Sequence, residues 1–100
     1  MRDHVLKCWP GPYAAMLAGE KLFEWRRDDR GYELGDRLVL FEWDPSTEKY
    51  TGHGSYWIVT YILRGRFAVP DGYCVMGLRR QGEAKANPAD HGIPRGMVQR

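Results

Sequence analysis

Ser55-Tyr56-Trp57-Ile58-Val59-Thr60-Tyr61-Ile62-Leu63 is the most strand-like run in the chain. It is dense in β-branched and aromatic residues, the side chains that fit a pleated, half-buried surface. Both of its alternating faces are apolar, so the run is expected to line a closed or nearly closed sheet. Working outward, Asp36 to Trp43 reads as a strand before it and Tyr73 to Leu78 as a strand after it. Asp44 to Gly52 holds strong turn signals and is expected to make a hairpin-type connection. Arg64 to Gly72 is read as a loop.

Nearer the start, His4 to Trp9 alternates as a short strand that Pro10-Gly11-Pro12 ends. Pro12 suits the first turn of a helix, where a missing N–H costs nothing. Tyr13 to Ala18 then predicts about two helical turns with Gly19 as the C-terminal stop. Tyr13, Met16 and Leu17 share one face at helical spacing and are expected in the core. Lys21 to Arg26 predicts a further strand, with Phe23 and Trp25 on one face and Leu22, Glu24 and Arg26 on the other. The aromatic pair is expected to be buried, which leaves Glu24 and Arg26 on the outside of the wall. Arg27 to Gly35 is polar and turn-like, and Arg27-Asp28-Asp29-Arg30 reads as a solvated, self-neutralising turn without assigned chemistry.

About five strands and one early helix, with no βαβ repeat, predict an α+β chain: a small mixed β-barrel of about five strands with one or two short helices. One hundred residues make one small domain, and 43% hydrophobic and 13% aromatic residues suffice for a compact interior. The expected domain covers residues 1–80. From 81 to 100 the chain is rich in glycine and proline and poor in large apolar residues, and it is expected to form a flexible or extended tail.

Charge excludes little. Residues 1–78 carry ten Lys or Arg against eleven Asp or Glu, a balance of −1, and residues 79–100 carry five against two, or +3. A near-neutral body with a basic tail is compatible with nucleic acid and equally with plain solubility. Cys8 and Cys74 show no CxxC spacing and no metal-ligand pattern with the histidines, so no metal and no cofactor is expected. Buried free thiols in a reducing compartment are the expected state, and a disulfide between them stays open. No apolar run reaches membrane-spanning length and the first residues lack a signal-peptide core, so a cytoplasmic protein with no membrane contact is expected.

The chemistry-bearing stretch is Gly19-Glu20-Lys21-Leu22-Phe23-Glu24-Trp25-Arg26. Glu24 and Arg26, two apart, project from one face of a strand. Lys21 lies near the turn after Gly19, outside the alternation. If the helix packs beside this strand, Lys21, Glu24 and Arg26 converge at the rim of a helix–barrel groove; the competing reading is an exposed Glu24–Arg26 pair. Trp9 and Tyr13 flank the helix start and are candidates to stack a base, with core packing as the competing role. His4 is expected to be a solvated or hydrogen-bonded strand-end residue. His53 and His91 are given no ligand role. Arg64 and Arg66 are either phosphate contacts or a charged loop, and Thr60 faces either a strand neighbour or the cleft.

Gly19-x-Lys21-x-x-Glu24-x-Arg26 resembles the GxKxxExR signature of ASCH domains, a branch of the PUA-like superfamily. The likeness extends, in matching order, through His4-x-Leu6-Lys7-x-Trp9-Pro10, Phe23-Glu24-x-Arg26, Asp29-Arg30, Val59-Thr60-Tyr61-Ile62 and Gly72-Tyr73. These segments are similar to a short phage and bacterial subgroup of unknown function and span roughly residues 4–78. The resemblance implies a PUA-like barrel with a helix beside it, and a cleft where Lys21, Glu24 and Arg26 bind RNA or a nucleotide. On that reading Arg26 and Lys21 meet phosphate or base acceptors, and Glu24 accepts from an exocyclic amine or positions Lys21. Some ASCH-type proteins are amidohydrolases that deacetylate N4-acetylcytidine with a Lys base and a Thr three residues later. Here Lys21 matches, whereas Glu24 stands where the hydroxyl nucleophile belongs. The expected function is therefore an RNA- or nucleotide-binding module that reads a base, modified or not. A small nucleoside amidohydrolase using Lys21 and Glu24 is one alternative. A protein-interaction accessory working through the tail is another.

Overall fold

The computed structural model describes residues 1–84 and 88–91. Its elements are β1 (Asp3–Cys8), α1 (Pro10–Leu17), β2 (Phe23–Arg27), β3 (Arg37–Asp44), β4 (Lys49–Arg64), β5 (Tyr73–Glu83) and a 3₁₀ turn (Pro88–His91). The strands form one sheet in the order β1-β3-β4-β5-β2, with β1 parallel to β3 and every other pair antiparallel. This sheet curls into a half-barrel with the single short helix against it, the small α+β architecture expected from the pattern.

β4 is the central strand, and at sixteen residues it is longer than the run that announces it. Its register against β5 shifts between Tyr56 and Trp57 and again between Val59 and Tyr61. Such bulges raise the local twist and bend a sheet. Trp57 and Val59 point inward to meet Leu6, Leu38, Leu40, Met76 and Met16 of the main core. Each fully buried side chain of this size contributes about 1.5–3 kcal/mol of transfer free energy. The indole of Trp57 does not go unsatisfied, since its N–H donates to Ser55 Oγ at 2.7 Å.

The other face of β3 carries Val39 and Phe41, which join Val5 and Ala84 in a second cluster flanked by Tyr50 and Tyr56. This cluster explains why the central strands read as apolar on both sides, and it revises the expected domain boundary. β5 continues to Glu83, the Ala84 N–H donates to Gly54 O at 2.8 Å, and the His91 ring lies 5.5 Å from that of Phe41. Residues 81–84 and 88–91 thus belong to the folded body. Small residues such as Ala84 and Pro88 supply the cover, so no run of large apolar side chains announces it. The rest of the expected tail, and the partner contact placed on it, lies outside the described residues.

α1 begins at Pro10 with Pro12 in its first turn and ends in a Schellman arrangement. Gly19, at φ 78°, donates to Met16 O at 3.0 Å, and Glu20 donates to Ala15 O at 2.9 Å. Tyr13 and Met16 enter the core as expected, but Leu17 stays 41% exposed because so short a helix presents only one narrow stripe to the sheet. From the polar segment after β2, Tyr32 turns inward to complete burial, its ring 4.8 Å from that of His4. His4 is the hydrogen-bonded histidine of the two expected forms: its Nε2 lies 2.8 Å from Asp36 Oδ2, both side chains buried.

Candidate functional site

The sheet has two edges, β1 and β2, and they face one another across a seam. β1 spends the carbonyls of alternate residues on β3, which leaves those of Val5 and Lys7 toward the seam. Arginines from the β2 side take both. Arg26 Nη2 donates to Lys7 O at 2.7 Å and Arg30 Nη1 donates to Val5 O at 3.1 Å. Side-chain donors therefore close what backbone pairing leaves open, and they satisfy acceptors that an edge strand would otherwise expose.

At the seam, beside the start of α1, lies a cavity of about 370 Å³ lined by Lys7, Cys8, Trp9, Pro12, Lys21, Glu24, Trp25 and Arg26. Its polar centre is Glu24, only 4% exposed. Lys21 Nζ donates to Glu24 Oε1 at 2.9 Å and to Phe23 O at 2.7 Å. Arg26 Nε donates to Glu24 Oε2 at 2.6 Å. One carboxylate thus holds an ammonium on one oxygen and a guanidinium on the other. Two of the three ammonium protons and two of the five guanidinium N–H groups are engaged in these and the Lys7 contact, which leaves donors for a ligand. Lys21 and Arg26 against one carboxylate leave an excess of one positive charge at this centre, and the Lys7 ammonium lies 4.9 Å over the Trp43 ring.

The convergence of Lys21, Glu24 and Arg26 expected from their spacing is what the structure holds. The side from which they act is not the expected one. Phe23 is 44% and Trp25 51% exposed, while Glu24 and Arg26 face inward. Alternation separates two faces without saying which is inside, and on this strand the inner face looks onto the polar seam. Neither is the Glu24–Arg26 contact an exposed pair; side-chain exposures are 6% and 15%. Of the two stacking candidates, Trp9 does not take the competing core role but is 55% exposed at the cavity mouth, whereas Tyr13 takes the core role, 3% exposed and absent from the lining.

The Arg27–Arg30 turn is not self-neutralising. Asp28 pairs with Arg64, which also donates to Tyr32 O, and Arg30 reaches β1. Thr60 is not part of the cavity wall; its hydroxyl lies near Gly77, on the outer side of β4 and β5. Cavity residues that the sequence did not single out are Lys7, Cys8, Pro12 and Trp25. The signal for Lys7 and Cys8 was their place on a short strand running into the helix that carries the cleft. Among the described residues no hydroxyl lines the cavity, and the Cys8 thiol there is held protonated: burial first, then the nearby Glu24 charge, pushes it up to about 12. Both cysteines are buried and unbridged. Among the described residues no group of three or more His, Cys, Asp or Glu is placed to hold a metal, and no helix is long and apolar enough to cross a membrane.

A half-barrel whose open seam carries a cationic, tryptophan-edged cavity is a ligand-site geometry on a small α+β domain. The chain belongs to the family described as Domain of unknown function (DUF3850), whose model matches residues 3–78. Over 74 residues it is also 32% identical to the "Uncharacterized 12.9 kDa protein in GpA 3'region" of Escherichia phage P2, a match that takes in 63% of this chain and 66% of that protein. The chain thus spans just under two thirds of that relative's length.

Proposed function

We propose that this domain is an ASCH-type member of the PUA-like superfamily that binds a nucleotide, free or within RNA, in the seam cavity. The observation that carries the reading is an ammonium and a guanidinium held on one buried carboxylate in a recess of about 370 Å³. That volume is at the small end of ligand pockets and matches a base with its sugar. Lys21 and Arg26 offer their remaining N–H groups to phosphate or to base carbonyls, and Trp9 at the mouth offers a face for stacking. Glu24 fixes the direction of both donors before the ligand arrives, which reduces the ordering cost of binding.

Binding is favoured over N4-acetylcytidine hydrolysis by the wall itself. It holds no hydroxyl, Cys8 is protonated at neutral pH, and both Glu24 oxygens already accept from cations. A cytoplasmic setting, where RNA and nucleotides abound, belongs to the same proposal.

Titration with nucleosides, nucleoside monophosphates and short single-stranded RNA, followed by tryptophan fluorescence, tests it. Micromolar to sub-millimolar binding that weakens tenfold or more in Lys21→Ala and Trp9→Ala is expected. Binding confined to millimolar concentrations, or indifferent to Lys21→Ala, overturns it.

A further inference from the structure

β2 carries different chemistry on its two faces. Inward are Glu24 and Arg26 of the cavity; outward are Phe23 and Trp25, both about half exposed. Register extends the outward face across the sheet. Phe23 lies opposite Gly77 of β5, which in turn lies opposite Tyr61 of β4. Arg27 lies opposite Tyr73, two residues along from Trp25. Tyr61 is 64% and Tyr73 36% exposed, so four aromatic rings stand on one open sheet surface. Neighbouring strands are about 4.8 Å apart and alternate residues along a strand about 6.6 Å, which spreads these rings at the intervals of successive bases in an extended strand. Gly77, with no side chain, lies between Phe23 and Tyr61, with the Thr60 hydroxyl beside it.

An apolar face alone does not identify its occupant, but the charge does. The outward rows end in Arg27 on one side and Arg79 on the other, both exposed, and neither forms an ion pair among the described residues. No carboxylate occupies these rows. Lys21 bonds Glu24 in the cavity and also lies 4.7 Å over the Phe23 ring, so the cavity rim and the aromatic surface are continuous. Rings framed by guanidinium groups match a single-stranded polyanion with stackable bases, while an apolar or basic protein surface would leave the arginines uncompensated.

We infer that the outer face of β2, β5 and β4 is a track for single-stranded nucleic acid, with bases stacked on Phe23, Trp25, Tyr61 and Tyr73 and phosphates at Arg27 and Arg79. The track uses residues outside the nucleotide recess apart from Trp25, so it stands or fails separately from the cavity reading.

Fluorescence anisotropy with a labelled twelve-nucleotide RNA of mixed sequence, beside titration with an unlabelled nucleoside monophosphate, tests it on the full chain. Tyr61→Ala combined with Tyr73→Ala is expected to weaken the RNA tenfold or more while leaving the monophosphate unchanged. Tyr61→Leu with Tyr73→Leu, which keeps apolar area and guards against misfolding, is expected to weaken it similarly because the stacking face is gone. Arg27→Gln with Arg79→Gln is expected to reduce the slope of log affinity against log salt by about 1.4, at about 0.7 per phosphate contact on a single strand. RNA affinity unchanged in the alanine and leucine pairs overturns the track, as does the absence of RNA binding. Sedimentation of the wild type as a dimer that either pair dissolves also overturns it, assigning the face to a second copy.

Discussion

Replacing Glu24 with Gln should lower stability and raise phosphate affinity together. The carboxylate is 6% exposed and accepts from Lys21 Nζ at 2.9 Å and Arg26 Nε at 2.6 Å. Removing one partner of a fully buried ion pair costs about 3–5 kcal/mol. Here the cations retain 23% and 15% exposure and can rehydrate in part, and the amide oxygen still accepts one bond. A loss of about 2 kcal/mol is the appropriate scale, which for a domain of this size lowers the melting temperature by about 8–16 °C. Losing the carboxylate also frees the guanidinium that holds Lys7 O, so amide exchange in β1 and β2 should accelerate more than in β3 and β4. The binding effect has the opposite sign. The centre formed by Lys21, Glu24 and Arg26 goes from one to two excess positive charges. At about 4 Å, between the limits of water and a protein surface, one added charge is worth about 1–4 kcal/mol before screening. A monophosphate should bind about tenfold tighter at low salt, and the advantage should shrink at 0.5 M. Thermal melts by circular dichroism and calorimetric titration measure both. A melting temperature within 3 °C of wild type would refute the assignment of Glu24 as the carboxylate that holds both cations, and weaker monophosphate binding would refute the reasoning that the added charge outweighs the lost preorganisation.

Three further outcomes follow from the geometry. Burial opposes ionisation of Asp36, yet hydrogen bonds from His4 and from the Arg2 and Glu33 amides hold its carboxyl below its ordinary value. The stability this gives is present above the unfolded value of about 3.9 and is lost as pH falls through the lower folded value, so Asp36→Asn should lower the urea midpoint at pH 6 and flatten its fall between about pH 4 and pH 2. Gly54→Ala places a Cβ at 2.5 and 2.6 Å from Phe41 ring carbons; it should cost about 1–3 kcal/mol in denaturant titrations, part of it recovered by adding Phe41→Leu. Burial pushes the Cys8 and Cys74 thiols up to about 12 and about 11, so at pH 8 both should resist a thiol reagent in the native protein and react fully in denaturant; native-state labelling of Cys8 at the unfolded rate would mean that the cavity floor is open.

Much of the fold was legible because β-propensity and burial agree in its centre. Trp57 and Val59 face inward, Leu38 and Leu40 oppose Val39 and Phe41, and Gly19 ends the helix. Reading failed where burial depends on partners distant in sequence. Phe23 and Trp25 looked like core because aromatic pairs usually are, but β2 is an edge strand whose inner face meets carbonyls of β1, some twenty residues earlier, that β3 does not take. Trp9 stayed out of the core because a helix of eight residues admits one stripe to the sheet, and Tyr13 with Met16 fills it. Tyr32 was hidden in a polar segment, and Ala84 in one too poor in large side chains to announce a cluster. The meeting of Lys21, Glu24 and Arg26 was legible for a local reason. Two-residue spacing places Glu24 and Arg26 on one face whichever way the strand turns, and the reversal at Gly19 brings Lys21 back to Phe23 O.

The same three residues therefore answer two requirements. Among the described residues β1 and β2 do not pair by backbone bonds, and Arg26 and Arg30 bridge to the β1 carbonyls through their side chains. Arginine is suited to that task, with enough donors to hold a carbonyl and a carboxylate at once and still face outward. Lysine in place of Arg26 would keep the charge and lose the fork, so it should open the seam while leaving the overall field intact. That separates closure from attraction. If the site acts by charge alone, Arg26→Lys retains monophosphate affinity; if it acts through directed donors fixed by Glu24 and the β1 edge, affinity falls with seam protection. The 2.6 and 2.7 Å contacts of one guanidinium to Glu24 and Lys7 O favour the second result.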